Sequence, residues 1–182
     1  MLELVTPGLA YLEGYAAALT RGWSPDTGRD VSAAQLAQLR ADPAAFVANV
    51  ARTDGGTLVQ PDGTLRERIP GRILWLWDGE FCGTMNYRYL PGTEDLPPHV
   101  SGHVGYAVVP WKQRRGYATR ALAMVLPLAR ADGLARVLVT CDLDNEGSRK
   151  VIEANGGVLA GEHPPMREGE KGKLGFWVGL GG

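Results

Sequence analysis

Hydrophobic and polar positions along the chain alternate with two periods, one typical of strands and one typical of helices. The stretch from Gly102 to Ala131 shows both periods in succession. Its first part, His103–Val109, is apolar and rich in β-branched and aromatic residues, which predicts a strand that ends at Pro110. From Tyr117 onward the spacing becomes helical, and Gly133 supplies a stop. The apolar positions on one face of this predicted helix are Leu122, Val125, Leu126 and Ala129.

The first half of the chain predicts several further elements. They are a strand at Leu2–Val5, a helix at Leu9–Leu19, a second helical region that begins near Asp30 or Ser32, and two strands at Ile73–Trp77 and Glu80–Leu90. Asp42 followed by Pro43 is typical of a helix start, with the aspartate as N-cap. Asp78-Gly79 between the two strands predicts a β-hairpin turn. Residues 53–71 are rich in glycine, proline and charge, which predicts an irregular loop that could hold a small hairpin at Pro61–Gly63.

The last third of the chain predicts three more strands and one more helix. They are a strand at Ala135–Asn145, a helix at Glu146–Asn155, and two closing strands at Gly157–Glu162 and Lys173–Leu180. Asn145 is a predicted N-cap and Gly156 a predicted stop. Pro127 lies in the middle of the preceding helix, where it removes a backbone hydrogen bond and predicts a bend or an early end. The whole pattern predicts an α/β (α+β) fold in one domain spanning residues 1–182, with a central mixed sheet flanked by helices.

The composition narrows the classes of function. A net charge of −1 and a pI near 6.3 do not favour a large nucleic-acid-binding face. Neither the two cysteines, Cys82 and Cys141, nor the three histidines have the spacing of metal ligands, so no metal site is predicted. The cysteines are interpreted as free thiols unless the fold brings them together as a disulfide. The N-terminus lacks the features of a signal peptide and no segment is long enough to cross a membrane, which predicts a cytoplasmic protein.

The turn between the central strand and helix has the sequence QRRGYA, residues Gln113–Ala118. The first N–H groups of a helix have no partner within it and the helix dipole adds partial positive charge, so a helix start favours an anion such as phosphate or pyrophosphate. Gly116 has no Cβ to hold a ligand away from the backbone, and Arg114 and Arg115 add donors that suit phosphate. The same residues could equally form a capped surface helix, so the turn alone leaves both interpretations open.

Two longer stretches resemble a known family. VVPWKQRRGYATRAL, residues 108–122, resembles the R/Q-x-x-G-x-G/A acetyl-CoA loop of the GNAT N-acetyltransferases, with Gln113, Gly116 and Ala118 in the fixed places. DLDNEGSRKVIEANGGVL, residues 142–159, is similar to the fifth strand and fourth helix of that family. The likeness reaches from Ile73 to the C-terminus and is greatest to a bacterial group of predicted acetyltransferases.

The resemblance implies a GNAT-like acyl-CoA N-acyltransferase fold with acetyl-CoA as cosubstrate. In the family, the pyrophosphate lies on the amides of the turn, here Arg114–Thr119, and the pantetheine arm pairs with the backbone at Tyr106–Val109, where two strands splay apart. The residues implied for cofactor binding are Val108, Val109, Gln113, Arg114, Arg115, Gly116, Tyr117, Ala118, Thr119, Asn145 and Ser148. Asn145 could equally be a plain helix cap, and Ser148 a residue of the first helical turn.

The implied chemistry is direct attack of a neutral amine on the acetyl thioester, which needs an oxyanion donor, a base and an acid. The backbone N–H of Val108 or Val109 resembles the oxyanion donor of the family. Several relatives use a glutamate as base and many use a tyrosine as acid, and the matching positions here are Thr140 and Ile152. Neither role can therefore be transferred from the resemblance.

Other residues must supply the acid and the base. Tyr106 is the first candidate for the acid, although a tyrosine packed in the core fits the pattern as well. Asp142 could bind or deprotonate an amine, or simply be a solvated strand end. His103 has a suitable pKa range, but a lone histidine is more often structural. The resemblance also implies an acceptor site near Arg88, Glu94 and Asp95, where acidic residues would suit a cationic amine.

These observations predict an N-acetyltransferase that acts on a primary amine of a small molecule or peptide in a ternary complex. The alternative is a module of the same fold that binds acyl-CoA as a sensor or structural unit without transfer. A nucleotide-phosphate binder is a weaker third interpretation, because the sequence has no G-x-x-x-x-G-K-[ST] or G-x-G-x-x-G run. No nucleic-acid or membrane partner is expected, and a homodimer would be in keeping with the family.

Overall fold

The computed structural model describes residues 1–59, 65–165 and 171–181, which form nine strands and five helices. The strands are β1 (Glu3–Val5), β2 (Gly56–Val59), β3 (Leu65–Arg68), β4 (Gly71–Trp77), β5 (Phe81–Arg88), β6 (Val104–Val108), β7 (Arg136–Asp142), β8 (Gly157–His163) and β9 (Lys173–Gly179). The helices are α1 (Leu12–Thr20), α2 (Ser32–Ala41), α3 (Pro43–Ala51), α4 (Tyr117–Ala131) and α5 (Glu146–Glu153). Short 3-10 turns precede α1 at Leu9–Tyr11 and follow β6 at Pro110–Lys112.

Seven of the strands form one mixed sheet in the order β1-β4-β5-β6-β7-β9-β8. Its neighbouring strands are antiparallel except for β6 and β7, which run parallel. The predicted α/β fold, a central mixed sheet flanked by helices, is therefore confirmed. The remaining strands, β2 and β3, form a separate antiparallel pair. They lie in the segment for which an irregular loop was expected, and the predicted turn at Pro61–Gly63 falls outside the described residues.

A hydrophobic core covers each face of the sheet. On one face, α4 and α5 pack on the sheet through residues such as Leu122 and Ile152, which are fully buried. On the other face, helices α1 to α3 enclose an aromatic cluster in which the Tyr15 ring stacks on the Trp75 ring with 4.6 Å between centroids. The sheet thus separates two compartments, and alternate residues of each strand face one or the other.

The local signals for helix starts are confirmed by side-chain hydrogen bonds. Asp42 Oδ1 accepts a hydrogen bond of 2.9 Å from the N–H of Ala45, which divides the predicted second helical region into α2 and α3. Asn145 Oδ1 accepts one of 2.9 Å from the N–H of Ser148 at the start of α5. Each cap satisfies an N–H that the helix itself leaves without a partner.

The expectation of an early end at Pro127 is wrong. Helix α4 continues through this proline to Ala131. Ala129, in the turn after Pro127, is fully buried in the core under the helix. Tertiary packing of that turn offsets the backbone hydrogen bond that proline removes.

β6 and β7 are held together at one end only. In the described part of the chain their register consists of one residue pair, Val104 opposite Val139. Just before it, the His103 N–H donates to the Leu138 carbonyl oxygen at 2.7 Å, and the Leu138 N–H donates to His103 Nδ1 at 2.9 Å. The imidazole thus accepts a hydrogen bond that a strand carbonyl would normally accept. Beyond Val104 the two strands part.

The His103 imidazole is neutral because it is fully buried. Burial lowers its pKa from 6.5 to about 4, since a charged ring would lose its hydration. Nδ1 accepts the hydrogen bond from Leu138, so the proton of the neutral ring is on Nε2. The histidine that the sequence marked as more often structural therefore joins two strands.

We predict that the unfolding free energy depends on the protonation of His103. Between about pH 6.5 and about pH 4 the unfolded chain binds a proton that the folded chain does not, so the wild-type protein is destabilised as the pH falls through this window. At about 1.4 kcal/mol per pH unit, the loss reaches up to about 3 kcal/mol. In His103→Gln the glutamine oxygen can still accept from Leu138 but does not titrate, so this loss should disappear.

Urea denaturation across this pH range measures the effect. The same substitution at the exposed His99 is the control and should alter the free energy of unfolding little at neutral pH. Identical pH dependence of the wild-type and His103→Gln proteins would contradict the prediction.

Candidate functional site

A cavity of about 1180 Å³ opens where β6 and β7 part. Its lining includes eleven of the thirteen site residues named from the sequence, namely Tyr106, Val108, Gln113, Arg114, Gly116, Tyr117, Ala118, Thr119, Asp142, Asn145 and Ser148. Of the described residues named as site residues, Val109 and Arg115 are outside the lining. The fold therefore brings three separated segments of the chain to one space.

The turn before α4 has the backbone geometry of an anion site. Gly116 is the N-cap in a left-handed conformation with φ 71°, and no side chain in the described ranges caps the helix. Arg114 has φ 59° and is the one non-glycine residue of positive φ in those ranges. A Cβ at Gly116 would meet no described protein atom within 4 Å beyond its chain neighbours, so the backbone here is open to a ligand. The first N–H groups of α4 have no partner within the helix. These groups fit a pyrophosphate.

Gln113 connects this turn to the end of β6. Its Nε2 donates to the carbonyl oxygen of Val108 at 3.2 Å. Arg115 is exposed, and its carbonyl oxygen accepts a hydrogen bond of 3.2 Å from the Arg120 guanidinium. Direct contact of Arg115 with a ligand in the cavity is therefore not supported by this geometry.

Hydrogen bonding distinguishes the two candidate oxyanion donors. The N–H of Val109 donates to the carbonyl oxygen of Cys82 on β5 at 3.0 Å, and the Val109 side chain is fully buried in the aromatic core. Along an antiparallel strand successive N–H groups point to opposite sides, so the N–H of Val108 points away from β5. That side is where β7 has parted from β6. The N–H of Val109 is thus already used within the sheet, whereas the N–H of Val108 points toward the gap between β6 and β7.

Tyr106 and Ser148, which are 42 residues apart in sequence, are in contact. The Tyr106 hydroxyl and Ser148 Oγ are 2.7 Å apart. Burial raises the pKa of Tyr106 to about 12, and the hydrogen bond to Ser148 opposes this only partly. The ring also packs against the core on the α4–α5 side. Tyr106 is therefore both a core residue and a protonated hydroxyl in the cavity.

Asp142 is part of an ion pair that the sequence did not indicate. Lys173 Nζ lies 2.5 Å from its Oδ1, across the β7–β9 pair. Thr140 lines the cavity two residues earlier on the same face of β7. Ile152, at the position where many relatives have a tyrosine, is fully buried in the core, so it contributes no polar group to the cavity. Asp142 is thus a paired carboxylate rather than a solvated strand end.

A largely buried ion pair between Lys112 and Asp78 connects the β4–β5 hairpin to the turn before α4, which is called the cofactor turn below because cofactor binding is predicted there. Lys112 Nζ lies 3.0 Å from both carboxylate oxygens of Asp78 and 2.8 Å from Glu80. The Tyr117 hydroxyl donates to Asp78 Oδ2 at 2.5 Å. Asp78 lies in the β4–β5 hairpin turn, whereas Lys112 directly precedes the Gln113–Ala118 turn and Tyr117 lies within it, at the start of α4. Lys112 is only 8% exposed and is already paired with Asp78 and Glu80, although it also lines the main cavity.

The pKa of Asp78 reflects this cluster. Burial alone would raise it, but hydrogen bonds from Tyr117 and Lys112 outweigh burial and hold the pKa well below its usual range. The sequence identified Asp78 only as a turn residue. Its hydrogen-bond partners Lys112 and Tyr117 are 34 and 39 residues away, so they leave no local signal in the sequence.

The acceptor side predicted from the resemblance is only partly in this cavity. Arg88 lines it, together with Trp75, Thr84 and Asn86 on the face covered by α1 to α3. Glu94 and Asp95 line a second cavity of about 450 Å³ instead. Glu94 is also paired with Arg136 at 2.6 Å. A role for these two acids in binding an amine in the main cavity is therefore not supported, because they face another space.

The described residues contain no group of three or more histidine, cysteine or acidic side chains that could hold a metal ion. Cys82 and Cys141 are both buried and free. Among the helices in the described ranges, none is long and apolar enough to span a bilayer.

Comparisons with known proteins agree with this geometry. The model of the "Acetyltransferase (GNAT) family" matches residues 34–156, which is more than half of the chain. No curated protein sequence matches the chain. Among solved structures, RimJ of Mycobacterium smegmatis in complex with CoA-disulfide is similar, with 19% identity, a TM-score of 0.66, and coverage of 98% of this chain and 81% of that one.

Two further structures have the same fold. The microcin C7 self-immunity acetyltransferase MccE, in complex with acetyl-CoA and AMP, has 13% identity and a TM-score of 0.62 over 98% of this chain and 92% of that one. YncA, a putative acetyltransferase of Salmonella typhimurium with acetyl-CoA, has 14% identity and a TM-score of 0.54 over 100% and 94%. At these identities the likeness shows the fold, and the family model adds the relationship. The chain belongs to the acetyltransferase (GNAT) family, and it is an acyltransferase that uses acetyl-CoA as its cosubstrate.

Proposed function

We propose that this protein transfers the acetyl group of acetyl-CoA to the primary amine of a small molecule or peptide, by direct attack in a ternary complex. One observation carries the proposal. The uncapped start of α4 and the gap between β6 and β7 open into the same cavity. One molecule can therefore place an anionic group at the start of α4 and a thioester in the gap between β6 and β7. Acetyl-CoA supplies the activated acetyl group.

The turn at residues 114–119 is the proposed pyrophosphate site. The N–H groups of Gly116 and of the first turn of α4 donate to the phosphate oxygens, and Arg114 adds positive charge. Gln113 holds the turn against β6. Asn145 and Ser148 at the start of α5 contact the cofactor from the other side of the gap, while Asn145 also keeps its role as a helix cap.

Three groups carry the proposed chemistry. The N–H of Val108 stabilises the charge that develops on the acetyl oxygen. Asp142, whose Oδ1 is held by Lys173, accepts a hydrogen bond from the neutral incoming amine and takes its proton as the new C–N bond forms and the C–S bond breaks. Tyr106 keeps its proton at neutral pH because its pKa is raised to about 12, so its hydroxyl can donate to the departing sulfur, directly or through Ser148.

We predict that Gly116→Glu abolishes binding of acetyl-CoA, because it places bulk and negative charge against the pyrophosphate. For the wild-type protein, acetyl-CoA at a hundred times its dissociation constant should stabilise the fold by about 2.7 kcal/mol. A thermal melt with and without acetyl-CoA measures this shift.

Gly133→Glu is a matched control. Gly133 also has positive φ and open space within 4 Å, but it lies outside the cavity lining. Both variants should lose similar intrinsic stability, and only Gly116→Glu should lose the ligand shift. An undiminished shift in Gly116→Glu, or stabilisation by ATP or NAD but not acetyl-CoA, would contradict the assignment of the turn.

We predict that Asp78→Asn raises KM for acetyl-CoA about tenfold with a smaller change in kcat. Loss of the negative charge weakens the contacts of residue 78 with Lys112 and Tyr117, so the amides of the turn are less well preorganised. Initial rates of thiol release at varied acetyl-CoA concentration give both constants. Asp144→Asn is the control, because Asp144 and Lys171 form an exposed ion pair. An unchanged KM in Asp78→Asn would show that the cluster does not position the turn.

We predict that Tyr106→Phe lowers kcat about 100-fold while acetyl-CoA still shifts the melting temperature. The substitution removes the hydroxyl and keeps the ring that packs in the core. Tyr89→Phe, which removes a hydroxyl outside the cavity lining, should have wild-type rates. If Tyr106→Phe retains full activity, another group is the acid. If no amine in a broad panel releases thiol above background, the alternative of an acyl-CoA-binding module without transfer replaces the proposed function.

A further inference from the structure

We propose that Trp75 and Thr84 form an acceptor subsite that binds a carbonyl oxygen of the substrate. The substrate would then be a primary amine that carries an amide carbonyl a few bonds from its nitrogen, as a short peptide does. A simple alkylamine or polyamine would not satisfy the subsite. The inference rests on the proposed function and names the class of acceptor.

The observation behind it is a pair of buried polar groups without partners. Trp75 is fully buried and Thr84 is 2% exposed, and both line the main cavity. Neither Trp75 Nε1 nor Thr84 Oγ1 has a hydrogen-bond partner among the described residues. More than nine in ten buried polar groups in proteins are paired, so two neighbouring exceptions on a cavity wall indicate that a ligand or water completes them.

The two groups are adjacent on the sheet. Trp75 on β4 is directly opposite Thr84 on β5, and Thr84 is directly opposite Ala107 on β6. Ala107, which also lines the cavity, lies between Tyr106 and Val108. Neighbouring strands are about 4.8 Å apart, so Thr84 is roughly 5 Å from the strand that carries the proposed oxyanion donor. One small molecule can therefore reach both the subsite and the gap between β6 and β7.

The chemistry of the two groups selects an oxygen. The indole N–H of Trp75 can only donate, and a threonine hydroxyl can donate or accept. A carbonyl oxygen has two lone pairs and can accept from both, whereas an ammonium group offers only donors and leaves the indole N–H unpaired. The nearby Tyr15 hydroxyl does not compete, because it donates to Gln35 Oε1 while its ring stacks on Trp75.

The test compares two substitutions that remove a polar group. Thr84→Val keeps the side-chain volume, and Trp75→Phe keeps an aromatic ring but is smaller. Acceptors are a dipeptide amide and an n-alkylamine of matched length, each with saturating acetyl-CoA. For the dipeptide amide, each variant should lower kcat/KM about 10- to 100-fold, because a hydrogen bond in a desolvated site is lost. For the alkylamine, kcat/KM should start lower and remain unchanged in both variants.

Controls separate recognition from folding. Neither variant removes a hydrogen bond between described residues, so acetyl-CoA should shift the melting temperature of each by the wild-type amount. The melting temperature of Trp75→Phe without ligand should be lower than that of wild type, because the smaller ring leaves space in the core beside Tyr15. Trp77→Phe makes the same change two residues further along β4, outside the cavity lining, and should not alter either acceptor. A variant that lowers the rates for both acceptors equally, or lowers neither, overturns the subsite. So does a wild-type enzyme that uses the alkylamine as well as the dipeptide amide.

A binding measurement keeps the inference testable without turnover. Calorimetric titration of the dipeptide amide into the CoA-bound protein should show at least tenfold weaker binding for Trp75→Phe than for wild type. Equal binding overturns the subsite even if transfer is observed. Differential binding without any transfer supports the subsite and counts against the proposed function, so the two can fail separately.

Discussion

The parting of β6 and β7 is the constraint on which the rest of the site depends. Each strand is fully paired on its outer side, β6 with β5 and β7 with β9. Between them, His103 and the Val104–Val139 pair hold one end only. The inner edges therefore present backbone N–H and C=O groups to a gap inside a sheet, and such groups need partners. A ligand with an extended, amide-bearing arm fits that need better than a side chain could.

Charge is arranged around the gap so that the cofactor turn stays available to an anion. Lys112 is a buried basic residue, and Asp78 and Glu80 already neutralise it. The positive character of the turn comes instead from the uncapped start of α4 and from the side chain of Arg114. The backbone of Arg114 has a positive φ, and the contacts at the ends of the turn hold this strained conformation. The contacts of Lys112 with Asp78 and Glu80 thus make the turn rigid, and the backbone N–H groups of the turn are the groups proposed to bind the anion.

The residues proposed to bind the cosubstrate and those proposed to bind the acceptor lie on opposite faces of the sheet. Tyr106 and Val108 face α4 and α5, where Ser148 and the cofactor turn lie, whereas Ala107 faces α1 to α3 and the row of Thr84 and Trp75. Strand alternation places these residues on opposite sides of the same short strand. The cosubstrate and the acceptor can therefore approach β6 from different compartments without competing for the same side chains.

The sequence by itself determined the features that are made of contiguous residues. The strand, turn and helix from His103 to Ala131, the caps at Asp42 and Asn145, and the Asp78-Gly79 hairpin all follow from local backbone preferences. Only the tertiary structure decided which groups meet. The pairing of Tyr106 with Ser148, of Lys112 with Asp78, and of Asp142 with Lys173 spans 31 to 42 residues. The N–H of Val108, and not that of Val109, points toward the gap because Val109 is hydrogen-bonded to Cys82. Helix α4 passes through Pro127 because Ala129, in the next turn, is buried. Local propensity carries no information about such contacts, since they arise when distant segments pack and share one cavity.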